Sequence, residues 1–293
     1  MKLAARFLRN PTSLLGLILL LMFVAVAVFA PFIAPPKPNQ RDPYLIPKDG
    51  FAVEPKPPNA KHPFGTTEGQ YDLFYGVVWG TRTAFKVGVI ITFCTVAIGL
   101  SIGSIAAYRG GWVDEVLMRV VEIFMAFPFL LAALTMSAVL QARLGRGIIT
   151  GMIALILFGW TTYARLIRAD ILTVKERDFV LAARATGAGD LRILLRHIIP
   201  NAIFPTMVTA SMDIGSYVLS FAALSFLGLG AEIGYADWGQ LISFARNWIP
   251  ALAKHWHIVV FPGSAILLFV LAWNLIGDAM RDILDPRLRG SRG

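Results

Sequence analysis

Six long apolar runs constrain this chain more than any other feature. Leu14–Ile33, Val87–Ala107, Ile123–Leu140, Gly147–Ala164 and Ile258–Gly277 carry no charge, and Ala202–Leu229 carries only Asp213. A helix needs about 20 apolar residues to cross the hydrocarbon core of a bilayer. Lipid offers no hydrogen bonds to the backbone, so a spanning run pairs its N–H and C=O groups within itself, as a helix. The pattern predicts an all-α integral membrane protein with six transmembrane helices. Only 15% of the residues are charged, below the quarter usual in soluble domains.

The net charge of +9 does not indicate nucleic acid, because the basic residues lie in short loops between apolar runs. Lys and Arg bias instead reports orientation. With the N-terminus inside, segments 1–11, 108–119, 165–200 and 279–293 hold 16 Lys/Arg in 74 residues. The opposite segments 35–81, 141–147 and 231–257 hold 9 in 81. Both termini are therefore expected in the cytoplasm of a cell-membrane protein, in contact with lipid. Lys2, Arg6 and Arg9 before the first run, with Val28-Phe29-Ala30 near its end resembling a small-residue cleavage site, also suit a signal peptide. The length of the run and the spans that follow favour a retained helix. The division expected is an N-terminal segment and span (1–34), a Pro-rich external loop (35–81), a five-span core (82–280) and a tail (281–293). The loop should be extended, without helix until near the second span.

No metal or redox chemistry is indicated. Cys94 is the single cysteine, and His255 and His257, two apart, project to different faces of a helix. The sequence contains no Gly-rich phosphate loop ending in Gly-Lys-Ser/Thr. No clustered His, Asp and Ser set suggests catalysis, so no catalytic residue is assigned.

Residues 165–200 are too polar to cross lipid and read as two short helices. Thr173 and Glu176 suggest a capping box opening a helix over Asp178–Thr186. Gly187 and Gly189 break it, Asp190 is placed to cap a second helix, Leu191–His197, and Pro200 to stop that helix. Ala182, Ala183, Ala185 and Gly187 form a small-residue knob ringed by Arg177, Arg184, Arg192 and Arg196. Such an elbow suits either the groove of another protein or anionic lipid.

The run Asp178–Ala188, continued to Arg196-His197-Ile198-Ile199-Pro200, resembles the signature loop of ABC importer permeases: Glu-Ala-Ala, three residues, Gly, nine residues, Ile, one residue, Leu-Pro. Ala182, Ala183, Gly187 and Pro200 match in register, whereas Leu181, His197 and Ile199 depart from it. Arg9-Asn10-Pro11, His62-Pro63-Phe64-Gly65-Thr66, Ala222–Gly230 and the tail Asn274–Arg289 are similar to the dipeptide, oligopeptide and nickel branch of that family. Phe221 stands where many of its members carry Glu, and the loop 37–61 is longer than usual.

The resemblance implies a type I importer permease forming half of a translocation pathway for peptides or a related small solute. Its partners would be a second homologous permease, two cytosolic ATPase subunits and an external substrate-binding protein. ATP and Mg would sit on the ATPases, with no cofactor on this chain. Asp178, Ala182, Ala183, Arg184, Gly187, Ala188 and Asp190 become the ATPase-docking loop. Nickel, glutathione or sugar cargo is compatible with the same resemblance. A secondary transporter driven by an ion gradient is the alternative. It predicts paired embedded acids and inverted repeats, and only one embedded acid is visible.

That acid is Asp213, read either as lining the solute path or as a structural hydrogen-bonding group between helices. Pro128 should kink the third span. Gly99 and Gly103, four apart, should allow a close helix contact in the second. Lys86 should snorkel outward, and Glu122 should sit at the interface.

Overall fold

The computed structural model describes residues 10–38 and 40–284; in it Leu14–Ile33, Val87–Ala107 and Ile258–Gly277 lie wholly within helices, Gly147–Ala164 begins one residue before one, and Ala202–Leu229 overruns its main helix at both ends. Lys2, Arg6, Arg9 and the end of the C-terminal motif from Asp285 lie outside the described residues. Helix α1 (Pro11–Ile33) opens with Asn10, whose side chain accepts from the Thr12 N–H at 3.1 Å. Helix α2 (Leu73–Arg109) has 37 residues, longer than a bilayer core requires, and begins inside the stretch that reads as external loop. Its start is set by Asp72, which accepts from the Tyr75 N–H at 2.9 Å.

The third run is not one straight span. Helices α3 (Gly111–Met125) and α4 (Phe129–Leu144) meet at 84° across residues 126–128. Pro128 precedes α4 with ψ at 121°, outside the helical region, so it ends the hydrogen-bond ladder where a mere kink is expected. The five helices long and apolar enough to span become six when this bent pair is counted as one.

Helix α5 (Ile148–Val174) runs ten residues past the apolar stretch ending at Ala164. The Thr173 hydroxyl bonds back to the Ala169 carbonyl at 3.1 Å, within this helix, so the capping box does not form. Beyond α5 come α6 (Asp178–Ala185) and α7 (Asp190–Ile193), a π-turn (Leu194–Ile198), α8 (Ile199–Ala202) and α9 (Phe204–Phe226). The short α10 (Trp238–Ser243) lies between α9 and α11 (His257–Leu284).

Helices α2 and α5 pack closely. A Cβ on Gly99 would collide with Tyr163 and come within 2.8 Å of the Ala164 nitrogen, and one on Gly103 would strike the Ala164 carbonyl. The small residues of the second span thus serve packing. One apolar core joins α1, α2, α10 and α11, with Phe269 edge-on to Phe23 at 5.3 Å and to Trp238 at 5.7 Å.

The loop before α2 is fastened down. Its backbone bonds to the segment before α10, Ile46 N–H to Gly234 C=O and Ala236 N–H to Tyr44 C=O, both at 2.7 Å. Buried His62 lies between Asp72 at 2.7 Å and Asp49 at 2.9 Å. Lys61 also reaches Asp49, and together with His62 it lowers that carboxyl to about 2. Further along, Glu68 accepts from Asn247 at 2.9 Å and from Trp248 at 3.1 Å. His257 Nε2 faces the Thr66 carbonyl at 3.2 Å, which places the histidine pair in this loop packing.

Candidate functional sites: an elbow and a cleft

The elbow at residues 175–203 is anchored by three apolar side chains the sequence reading passed over. Val180, Ile193 and Ile198 are fully buried against Ala107 of α2 and Ile167 and Ile171 of α5. Their spacing puts apolar groups on the inner face of each short helix, while Phe179, Leu181, Leu191 and Leu195 remain exposed on the outer side. The elbow is therefore amphipathic, built onto the ends of two spans, and its outer surface has apolar area left uncovered.

Helix α6 ends in a complete Schellman turn. The Ala188 N–H donates to the Ala183 carbonyl at 3.1 Å and the Gly187 N–H to the Arg184 carbonyl at 2.9 Å. Gly187 takes φ of +80°, a conformation open to glycine at no steric cost, and no atom of this chain lies within 4 Å of where a Cβ would stand. Asp178, Ala182, Arg184 and Gly187 are exposed along this turn, and Ala183 and Ala188 are half-buried.

Asp190 does not cap α7 as expected. No side chain caps that helix, and the Asp190 carboxylate accepts instead from the Tyr108 hydroxyl at 2.7 Å. This bond ties the elbow to the inner end of α2, as does Lys175 Nζ, which donates to the Ala107 carbonyl at 3.3 Å. Pro200 does not stop the second helix either. The π-turn shifts the bonding register, with the Ile199 N–H reaching the Leu194 carbonyl, so the chain passes through a proline that has no N–H to donate. Neither the Tyr108 strut nor the π-turn has a local signature in the sequence.

The second site is a cleft of about 530 Å³ at the break between α3 and α4. The break supplies Phe124, Phe127 and Phe129, and α5 and α9 supply Phe158, Thr161 and Ser216. Asp213 is the one charged residue in this lining. Its Oδ2 accepts from the Tyr163 hydroxyl at 2.6 Å across the α5–α9 contact. One oxygen of Asp213 is thus held between helices, and the carboxylate borders the cleft. Elsewhere in the lining, the Tyr217 hydroxyl reaches the Gly159 carbonyl at 3.4 Å. Phe221, one turn beyond, is buried against α5 with Met152 and Leu155, so this position is core here.

Helices long and apolar enough to cross a membrane, a cleft among them bearing one acid, and an elbow with an uncovered face are features that a transport component needs. Residues 99–290 match the binding-protein-dependent transport system inner membrane component family, and residues 2–58 match the N-terminal transmembrane domain of oligopeptide transport permease C. The chain belongs to the binding-protein-dependent transport system inner membrane component family.

It is 34% identical to the dipeptide transport system permease protein DppC of Alkalihalophilus pseudofirmus, over 96% of this chain and 88% of that one. It is 37% identical to the glutathione transport system permease protein GsiD of Escherichia coli, over 97% and 89%. Among solved structures, the MetNI methionine ABC transporter in an inward-facing conformation aligns with a TM-score of 0.59 at 17% identity, over 73% of this chain and 98% of that one. The chain is accordingly a multi-pass inner-membrane permease subunit of an ATP-binding-cassette importer and not an enzyme. Membership of this family implies an ATPase and a substrate-binding protein as partners.

Proposed function

We propose that this chain forms half of a translocation pathway for short peptides or a related small solute, beside a second homologous permease. Two cytosolic ATPases, which bind the ATP and Mg, drive the pair, and an external binding protein delivers the cargo. Both termini lie in the cytoplasm. The elbow at 175–203 is the ATPase seat, and the cleft at Asp213 is this chain's share of the path.

The observation that carries the reading is the build of the elbow. Its inner face is locked to α2 and α5, and Phe179, Leu181, Leu191 and Leu195 stand exposed beside the Gly187 turn. A rigid piece joined to two spans can pass on a movement that a loose loop would absorb. ATP binding shifts the pore only when docking differs in energy between its states. Relatives named for dipeptide and glutathione transport support a short-peptide cargo.

The test is uptake by proteoliposomes holding this chain, the partner permease and both ATPases, with binding protein outside. Uptake should require ATP and survive collapse of the ion gradients. Uptake that follows a proton or sodium gradient and ignores ATP would favour a secondary transporter.

A further inference from the structure

We infer that the cleft is selective for cations and that Asp213 is its specificity-determining residue, stationing an ammonium group such as the free amino end of a short peptide. The inference rests on the reading of this cleft as part of the path.

A carboxylate at membrane depth is costly unless water or an opposite charge meets it. Asp213 lies nine residues into α9, about 14 Å along the axis, near the middle of the span. Among the described residues no salt bridge reaches it, and no Lys, Arg or His lines the cleft. Its hydrogen bond from Tyr163 engages only Oδ2, and Oδ1 is left free to meet a cation from the cleft. The remaining walls suit the same class of solute. Phe124, Phe127, Phe129 and Tyr217 surround the cleft, and aromatic faces attract cations within about 6 Å. The hydroxyls of Thr161, Thr162 and Ser216 can accept from an ammonium group. A solute presenting a cation is favoured here on every side, and one presenting a carboxylate meets repulsion.

Ser216, one turn from Asp213 on α9, is exposed in the cleft and places a probe beside the carboxylate. In the assembled transporter carrying Cys94→Ala and Ser216→Cys, modification rates are measured with three methanethiosulfonates: a trimethylammonioethyl, a sulfonatoethyl and the neutral methyl reagent. A unit charge about 6 Å away changes the local concentration of a monovalent ion roughly threefold even at the dielectric of bulk water, with opposite sign for cation and anion. Asp213→Asn, which keeps an acceptor for Tyr163, should therefore lower the cation-to-anion rate ratio about tenfold and leave the neutral rate unchanged. Asp213→Glu should hold the ratio within about twofold of the parent. In the parent itself, butylammonium should slow the neutral reagent and butyrate should not.

A labelled thiol whose ratio is the same with Asp or Asn at 213 overturns the cation preference and leaves the path reading standing. Equal slowing by butylammonium and butyrate does the same. A thiol that none of the three reagents reaches overturns the path reading, and the inference with it.

Discussion

At the residue scale, a partly hidden ion pair and a buried acid make separable predictions. Arg168 grips Asp114 with Nε on one oxygen and a terminal nitrogen on the other, both at 2.5 Å, tying α5 to the first turn of α3. The pair is partly exposed, so its net worth is modest, about 1 kcal/mol after screening. The fork fits a carboxylate in a way that an ammonium cannot. Arg168→Lys should therefore recover little of the stability lost in Arg168→Ala, as read from thermal unfolding in detergent.

Asp237 is the other. It is 4% exposed, and its side chain caps α10 by accepting from the Gln240 N–H at 3.1 Å. Burial raises its carboxyl to about 6 despite that bond. Between the ordinary carboxylate range and about 6, the folded state holds a proton that the unfolded state has released. Stability should thus fall as pH rises through that window and level off above it. Asp237→Asn keeps the cap and cannot ionise. Its melting temperature should exceed the wild type's at pH 7 by a few degrees, and the gap should close near pH 4.

At the element scale, the elbow behaves as one piece because its inner face is packed and its turn is closed by hydrogen bonds. A β-branched residue at Gly187 must leave φ of +80° or bear strain of roughly 1 kcal/mol or more. No atom of this chain obstructs the added group, so insertion should survive in Gly187→Val while cargo-stimulated ATP hydrolysis is lost. Asn tolerates the left-handed region better than Val, so Gly187→Asn should retain more of that stimulation. Equal losses in the two variants would mean that the bulk at the turn matters and its backbone shape does not. Removing the Tyr108 hydroxyl with Tyr108→Phe frees the Asp190 carboxylate from α2. Membrane levels should be unchanged, and the ratio of uptake to ATP hydrolysed should drop, measured in proteoliposomes.

At the scale of the whole molecule, the loop before α2 and the elbow at 175–203 lie at opposite ends of the spans. The loop is pinned through His62, Glu68 and the backbone pairs at Tyr44 and Ile46, so it forms a folded layer at one end of the spans. Single cysteines beside Asp49 should react with impermeant reagents from outside, and those beside Asp190 only from the cytoplasm. The reverse pattern would invert the topology. Purification in mild detergent should bring a second permease and two ATPases with the chain. A stable monomer that transports unaided would remove the need for that assembly.

The all-α spanning fold was decided by the sequence alone, because a 20-residue apolar run in lipid has no other way to pair its backbone. The elbow was legible too, since a helix, a glycine and a second helix are marked by residues close together in the chain. The glycine pair at 99 and 103 announced a close contact, although only the structure named α5 as the partner. What the sequence left open depended on residues far apart. Pro128 signals a disturbed helix, but whether the chain kinks or turns through 84° depends on what packs around the break. Thr173 and Asp190 carry capping chemistry, yet an extended α5 took the first and Tyr108, 82 residues away, took the second. Asp213 was visible as a costly charge. Its Tyr163 partner and its aromatic cleft follow from how α3, α4, α5 and α9 meet, which no local pattern records.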